Sequence, residues 1–156
     1  MNTQVQSLRV SEPGLFMRAR GLLERIPWSA LALLMRIAVF VVFWRSGSVK
    51  LDDWAGTLTL FAEEYKVPLL PPELAARLAA GMELGGSVLV LLGLGTRMVT
   101  LALLGMVAVI QLFVYPEAWP THVQWLAFMV PLVARGPGML SLDALISRAT
   151  GRPGAH

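Results

Sequence analysis

The chain has 156 residues, of which 56% are hydrophobic and only 15% charged, and its formal net charge is +3. A water-soluble domain usually carries about 25% charged residues, and one core of this size cannot bury so much apolar surface. The composition therefore predicts a membrane protein. Nucleic-acid binding is disfavoured, because the basic residues form no dense stripe with interleaved aromatics. With no cysteine, the chain offers no thiolate for thiol exchange or for an iron–sulfur cluster.

Residues 1–27 form a polar, basic lead in which a few apolar residues fall near one helical face: Leu15, Leu22, Leu23 and Ile26. This pattern is typical of an amphipathic helix that lies on the membrane surface. A disordered tail is the alternative for residues 1–12. No A-x-A-type cleavage site follows the first apolar run, so we expect the first membrane helix to serve as its own uncleaved insertion signal.

Four apolar runs follow, and each predicts a membrane-spanning helix: residues 28–44, about 74–94, about 98–115 and about 121–134. The fourth run is short for a hydrocarbon core of ~30 Å, which suggests a thinned or protein-shielded region. The second run is rich in small residues, which let helices approach closely in lipid. Gly81 and Gly85 fit a G-x-x-x-G pattern there, and we expect them to pack within the molecule.

The connection between the first two runs, residues 45–73, predicts a helix of its own. Asp52 or Asp53 suits its N-cap, and an apolar face repeats at helical spacing: Trp54, Leu58, Phe61 and Tyr65. We expect this amphipathic helix to lie on the membrane surface or to cover the mouth of the bundle. Pro71-Pro72 marks the start of the second spanning helix, and Ser141 suits the N-cap of a short terminal helix.

The charges predict the orientation. The side that holds both termini and the second loop carries most of the arginines, whereas the two opposite loops are rich in acidic residues. The positive-inside rule therefore places both termini in the cytoplasm. The predicted fold is an all-α, integral membrane four-helix bundle with an amphipathic interfacial helix in its first periplasmic loop. Its parts are a cytoplasmic N-terminal segment (1–27), a four-span membrane domain (28–148) and a C-terminal tail (149–156).

Arg36 and Glu83 are the candidate buried pair, because each is ionisable and lies well inside an apolar run. Their distances from the cytoplasmic ends of their helices predict similar depths in the membrane, so we expect them to contact each other or one shared ligand. An unpaired charge at such depth costs at least a few kcal/mol. Two interpretations stay open: a site for a polar head group or a proton relay, or a structural ion pair that fixes helix register.

A second set of polar and aromatic residues gathers near the predicted outer face, and six of them are ligand-binding candidates: Arg45, Lys50, Gln111, Tyr115, His122 and Trp125. They could form the mouth of a ligand site, with His122 titrating near neutral pH. An ordinary wet interface with aromatic anchors is the alternative. One such histidine without cysteine makes a poor metal site, so we expect no metal, haem or nucleotide.

Several segments, in their order and spacing, resemble the DoxX family over roughly residues 28–148. They are residues 34–36 (LMR), 46–51 (SGSVKL), 83–86 (ELGG), 93–97 (GLGTR) and 136–143 (GPGMLSLD). Residues 65–72 (YKVPLLPP) and 109–116 (VIQLFVYP) look like a proteobacterial branch of it. The resemblance implies a four-helix membrane bundle of the bacterial inner membrane, linked to membrane redox work such as a thiosulfate:quinone oxidoreductase subunit. The absence of cysteine puts any thiol relay in doubt here.

The leading functional hypothesis is thus a quinone-associated subunit that works with a protein partner carrying the redox centre. The alternative is a non-enzymatic membrane scaffold or chaperone, or a transporter-like protein that binds a small molecule or lipid. Membrane lipids are expected partners in either case, and self-association stays open. If the chain belongs to an enzyme, we expect it to be a subunit of a quinone-linked oxidoreductase. A fold-level analogy alone does not identify the reaction.

Overall fold

The computed structural model describes residues 21, 24–67 and 69–151, and every regular element among them is helical. Six helices follow one another: α1 (Trp28–Asp52), α2 (Trp54–Leu60), α3 (Pro72–Leu92), α4 (Thr96–Val114), α5 (Trp119–Arg135) and α6 (Leu142–Ala149). The predicted all-α class is confirmed. The amphipathic helix predicted within residues 1–27 lies almost wholly outside the described residues, as does most of the C-terminal tail.

Three of these helices are long and apolar enough to cross a membrane: α1 with 25 residues, α3 with 21 and α4 with 19. Helix α5 has 17 residues. It is the fourth apolar run of the sequence, and it packs against both α1 and α4. Together α1, α3, α4 and α5 enclose the main apolar core, whose most deeply buried members are Ala32, Val39, Val90, Leu103, Met129 and Leu132.

Helix α1 is longer than the sequence predicted. The apolar run ends at Trp44, but the helix continues through residues 45–52, which we had assigned to a connection. Hydropathy missed this extension because its buried face carries Gly47 and the partly buried Lys50 instead of large apolar residues. The helix ends where Asp53 caps α2 by accepting a hydrogen bond from the Gly56 amide at 2.9 Å.

The predicted amphipathic helix is present as α2 and the turn that follows it. Phe61 is buried against Ala75 and Ala76 of α3, and Trp54, Leu58 and Tyr65 pack around them, as the spacing predicted. The segment therefore lies on the first half of α3 and covers one end of the helix assembly. Pro72 begins α3, also as predicted.

Three turns of the described chain are π-helical, with wider hydrogen-bonded loops than an α-helix: Phe61–Tyr65, Met82–Gly86 and Ile110–Val114. The Lys66 amide bonds the Phe61 carbonyl at 3.2 Å, and the Tyr115 amide bonds the Ile110 carbonyl at 2.8 Å. Such turns are rare and are found frequently at functional sites. Nothing in the sequence predicted them.

Helices α1 and α3 run antiparallel in a register that can be read from two glycines. A Cβ added at Gly47 would lie 2.7 Å from Leu84 Cγ and 3.2 Å from Glu83 Cβ, whereas Gly93 lies against the Arg36 guanidinium. The prediction that Gly81 and Gly85 pack against another helix of the molecule is wrong. Both are exposed, with no atom within 4 Å of an added Cβ. The helices meet on the other side of α3.

We predict that Gly47→Ala destabilises the protein by about 1–3 kcal/mol, since the new methyl group must displace Leu84 or separate α1 from α3. Gly105→Ala is the matched control, because nothing lies within 4 Å of that position. It should be neutral or stabilising by up to ~1 kcal/mol through helix propensity. Unfolding of the detergent-solubilised variants measures both. Equal stability of the two variants would contradict the register described here.

Candidate functional site

Arg36 is buried at the end of the molecule where α1 begins, with 1% of its surface exposed. One of its terminal nitrogens donates a hydrogen bond to the Leu140 carbonyl in the loop after α5. Its Nε and Nη1 atoms find no acceptor among the described residues. Nη1 occupies the space that a side chain at Gly93 would fill, so only glycine fits there.

The loop after α5 and the first turn of α6 connect the ends of three helices around Arg36. Ser29 of α1 accepts a hydrogen bond from the Met139 amide at 2.9 Å, and the Asp143 amide donates to the Gly93 carbonyl at 2.9 Å. The Asp143 carboxylate accepts from the Gly95 and Thr96 amides at 2.8 and 3.1 Å, which caps α4. Residues 93–97 and 136–143, two of the segments that carry the family resemblance, therefore interlock with each other and with the start of α1.

Ser141 is the N-cap of α6, as predicted, and Asp143 lies in the first turn of that helix. The sequence did not predict that this carboxylate caps α4, because the two positions are 47 or more residues apart in the chain.

Glu83 forms a buried ion pair with Lys50. The Lys50 ammonium lies 2.9 Å from each carboxylate oxygen and 3.0 Å from the Ser46 hydroxyl. Ser46 in turn donates to Glu83 at 3.2 Å. The exposed fractions of the two charged side chains are 12% for Lys50 and 3% for Glu83. The three residues therefore form one connected polar group between α1 and α3.

The predicted contact between Arg36 and Glu83 is wrong. Arg36 lies opposite Gly93, whereas Glu83 lies opposite Gly47, so about ten residues of α3, or about 15 Å, separate the two levels. The prediction failed because α1 extends to Asp52, further than the sequence indicated. When α1 is taken to end at Trp44, Lys50 lies outside the membrane domain, and Arg36 is the only cation left for Glu83.

A cavity of about 260 Å³ opens beside the Lys50–Glu83 pair. Its wall is mostly apolar and comes from α3, α4 and the segment after α2; the lining residues include Phe61, Val67, Leu78, Ala79, Met106 and Ile110. Lys50, Glu83 and Tyr65 are the polar side chains in this wall. All three π-helical turns contribute residues to it, so the irregular backbone of three separate segments converges on one space.

Tyr65 is a hydrogen-bond donor at the edge of the cavity. Burial raises the pKa of its phenol above the ordinary value, so the group stays protonated at neutral pH. Its ring meets that of Tyr115 edge to face, with centroids 5.6 Å apart. The Tyr115 hydroxyl donates to Glu64, and this hydrogen bond raises the pKa of Tyr115. The two tyrosines therefore hold the π-helical turn after α2 against the end of α4.

The six ligand-binding candidates do not form one cluster. Lys50 lines the cavity, Arg45 is exposed, and Tyr115 bonds Glu64. The other three form a separate group, in which His122 Nδ1 lies 2.6 Å from Gln111 Oε1 and the Trp125 ring is 5.1 Å from the imidazole. Gln111 also donates to the Pro116 carbonyl at 2.7 Å. This group joins α4 to α5 and contributes no residue to the cavity wall.

Sequence reasoning missed Ser46 and Tyr65 as members of the site. Ser46 and Lys50 are four residues apart, so a helix extended through residue 50 would have placed them on one face. Tyr65 was recognised only as part of an apolar face. Its position at the cavity depends on the π-helical turn.

We predict that Lys50→Met or Glu83→Met alone costs about 3–5 kcal/mol of stability, because each leaves a buried charge without its partner. The double variant should be clearly more stable than either single variant. Arg77→Gln provides the control: it removes an exposed i,i+4 pair with Glu73, 2.6 Å apart, and should cost less than ~1 kcal/mol. Unfolding measurements on the four variants test this. If the stability lost in the double variant equals the sum of the losses in the two single variants, the two charges are not coupled.

Comparison with known protein families gave one result. The DoxX family model matches residues 31–116, which include Arg36, the Lys50–Glu83 pair and every residue of the cavity wall. The comparisons with curated proteins and with solved structures found no match. Because the match covers more than half of the chain, and three of the described helices are apolar and long enough to cross a lipid bilayer, this protein is a membrane protein and belongs to the DoxX family.

Proposed function

We propose that this protein binds a quinone head group in the cavity beside Lys50 and Glu83, as a quinone-associated subunit of a membrane redox system. The observation that carries the proposal is the convergence of three π-helical turns on an apolar cavity with one buried ion pair in its wall. Ligand sites of this type combine apolar walls with a few polar groups that orient the ligand.

The size of the cavity supports a head group and not a whole isoprenoid quinone. Pockets for small molecules usually occupy about 300–1,000 Å³, and this one occupies about 260 Å³. A ring fits within it, and the tail extends into the lipid. Leu70 and Leu78 of the wall are exposed on the outer surface, which provides a lateral path from the bilayer.

The polar groups suit the two oxygens of a quinone or a quinol. All three donors of the Lys50 ammonium are directed at Ser46 and Glu83, so a carbonyl oxygen must replace Ser46 as the third acceptor. Glu83 accepts two hydrogen bonds at Oε1 and one at Oε2, so Oε2 keeps one unused lone pair, which accepts a quinol hydroxyl without rearrangement. Tyr65 supplies a neutral O–H donor at the edge of the cavity. The closed ion pair therefore favours the reduced ligand.

A bound quinone supplies two-electron redox chemistry, and the protein contributes binding and proton-exchanging groups. The chain has no cysteine for a thiol relay or an iron–sulfur cluster, and in this proposal the electrons come from a redox centre on a partner protein. Glu83 and Lys50 hold a proton that can be exchanged with the ligand inside a space shielded from water. His122, our first candidate for that role, lies in the separate Gln111 group.

The proposal is tested by titrating the purified protein, in detergent, with a short-chain ubiquinone analogue in its oxidised and reduced forms. We expect saturable binding, tighter for the quinol. Ala79→Phe fills the cavity and should abolish binding. Ala102→Phe places the same ring on an exposed position of α4 and should leave binding unchanged.

Lys50→Met/Glu83→Met removes both charged groups of the wall, so that no lone charge remains. It should weaken binding at least about tenfold, the loss expected for one buried hydrogen bond to a charged group. Binding that tolerates both Ala79→Phe and this double variant would exclude the cavity as the quinone site. The absence of any saturable binding would favour the scaffold or lipid-binding alternative.

We also propose that α5 completes a four-helix membrane bundle with both termini in the cytoplasm of a bacterial cell. The chain enters α5 near Gln111 and His122, at the end that holds Tyr115, and leaves it beside Ser29 and Gly93. It thus returns to the level where α1 begins. Its 17 residues extend about 26 Å, close to the ~30 Å of a bilayer core. The arginine-rich end would then face the cytoplasm.

This topology is tested by labelling single introduced cysteines. Because the natural chain has no cysteine, it gives no background labelling. A membrane-impermeant maleimide should label Glu63→Cys and Glu117→Cys in spheroplasts with an intact inner membrane. Ala149→Cys should react only after permeabilisation. Labelling of Ala149→Cys in intact spheroplasts together with Glu117→Cys would show that α5 does not cross the membrane.

A further inference from the structure

A second cavity, of about 660 Å³, lies at the opposite end of the molecule from the Lys50–Glu83 pair. The cavity is enclosed by the start of α1, the start of α4, the end of α5 and helix α6. We call this end of the molecule the basic end. Three arginines from three different helices line it: Arg97, Arg135 and Arg148. The proposed quinone site shares no residue with this cavity.

The described residues of the wall neutralise only part of the positive charge of this cavity, since three arginines face one carboxylate. Asp143 is the one carboxylate among those that line it, and both of its oxygens are used by the Gly95 and Thr96 amides. Within the described ranges, none of the three arginines forms an ion pair. All three are exposed, so their charges are available to a ligand.

Two of the guanidinium groups are held in place by neighbouring groups that carry no negative charge. The Arg97 Nε and Nη2 atoms lie over Gly136, 3.2 and 3.4 Å from the position of an added Cβ. Arg135 stacks on the indole of Trp28, 4.3 Å from the ring centroid. The Trp28 nitrogen is buried and donates to no described acceptor. Arg135 lies in the last turn of α5, where a positive charge is stabilised by the helix dipole. Arg97 and Arg148 belong to other helices, so the dipole of α5 does not account for them.

The same cavity has an apolar side. Met98 and Met139 line it and are 72% and 52% exposed. The ends of α1, α4 and α5 meet here, so the cavity lies at the level where the hydrocarbon core gives way to lipid head groups. A ligand that complements it carries a negative charge next to a hydrocarbon chain.

The chain's own N-terminal sequence does not provide this charge. Residues 1–20 contain three arginines and one glutamate, so their net charge has the same sign as that of the cavity. An external anion is the better complement.

We infer that the basic-end cavity binds the phosphate of an acidic phospholipid, with Arg97, Arg135 and Arg148 around the phosphate and an acyl chain along Met98 and Met139. Basic pockets between membrane helices bind anionic head groups in this way, because each arginine near the lipid surface adds a favourable electrostatic contribution. Arginine also matches the geometry of phosphate oxygens through its planar set of donors.

The test measures lipid binding to the full-length protein in neutral detergent by native mass spectrometry, with phosphatidylglycerol and phosphatidylcholine of the same acyl chains. Phosphatidylglycerol should bind saturably and at least about tenfold more tightly than phosphatidylcholine. In Arg97→Gln/Arg135→Gln/Arg148→Gln this preference should disappear. Arg77→Gln, which removes one exposed arginine at the other end of the molecule, should keep it.

Competition by inorganic phosphate separates the two sources of the anion. If millimolar inorganic phosphate displaces phosphatidylglycerol completely, the site recognises a free anion and the lipid assignment is wrong. Unchanged lipid preference in the triple variant, or equal binding of the two lipids to the natural protein, overturns the inference. Because the three arginines are exposed, we expect the triple variant to fold. An unfolding temperature in phosphatidylcholine equal to that of the natural protein verifies this.

Discussion

A carboxylate inside a bilayer has no water to solvate it, so Glu83 must find its counter-charge within the protein. Lys50 provides that charge, and Ser46 completes the hydrogen bonds. Because Lys50 and Ser46 are both on α1, the contact fixes how far α1 slides along α3. Gly47 lies between them and lets the two backbones approach at this level. The positions of the other buried groups depend on this register.

The two ends of the molecule are built differently as a result. Beside Arg36, the Met139 amide donates to Ser29, the Asp143 amide donates to the Gly93 carbonyl, and the Asp143 carboxylate accepts from the Thr96 amide. The polar groups at several helix ends therefore satisfy one another. Beside Glu83, the helices loosen into π-helical turns, and a cavity remains between them. At one end, hydrogen bonds interlock the helix ends; at the other, an irregular backbone forms the cavity wall, and binding residues are often found on such irregular segments.

Membership of the DoxX family and the geometry of the cavity bear on function in different ways. The family match spans the cavity wall and Arg36 but ends before His122 and before residues 136–143. The cavity beside Lys50 and Glu83 is lined only by residues of the matched part. The basic end combines matched residues around Arg97 with unmatched residues around Arg135 and Arg148, so the two cavities need not have the same history or the same ligand.

Local chemistry was sufficient for much of the fold. Asp53 and Ser141 cap helices as their residue types predict, Pro72 starts α3, and the Trp54–Leu58–Phe61–Tyr65 face packs inward. Each of these features depends on residues within a few positions of one another. Three of the four apolar runs likewise correspond to helices long and apolar enough to span a membrane, because lipid selects for length and hydropathy and not for particular contacts.

Only the tertiary structure decided which charges meet. Sequence spacing predicts depth along a single helix, but pairing between helices depends on their relative register. The predicted end of α1, residue 44 instead of Asp52, gave Glu83 the wrong partner. The sequence did not predict the π-helical turns either, since their backbone widens to suit neighbouring segments. The sequence by itself determined a membrane protein of helices with buried charges; the packing of α1 on α3 determined that Lys50, not Arg36, balances Glu83 beside the cavity.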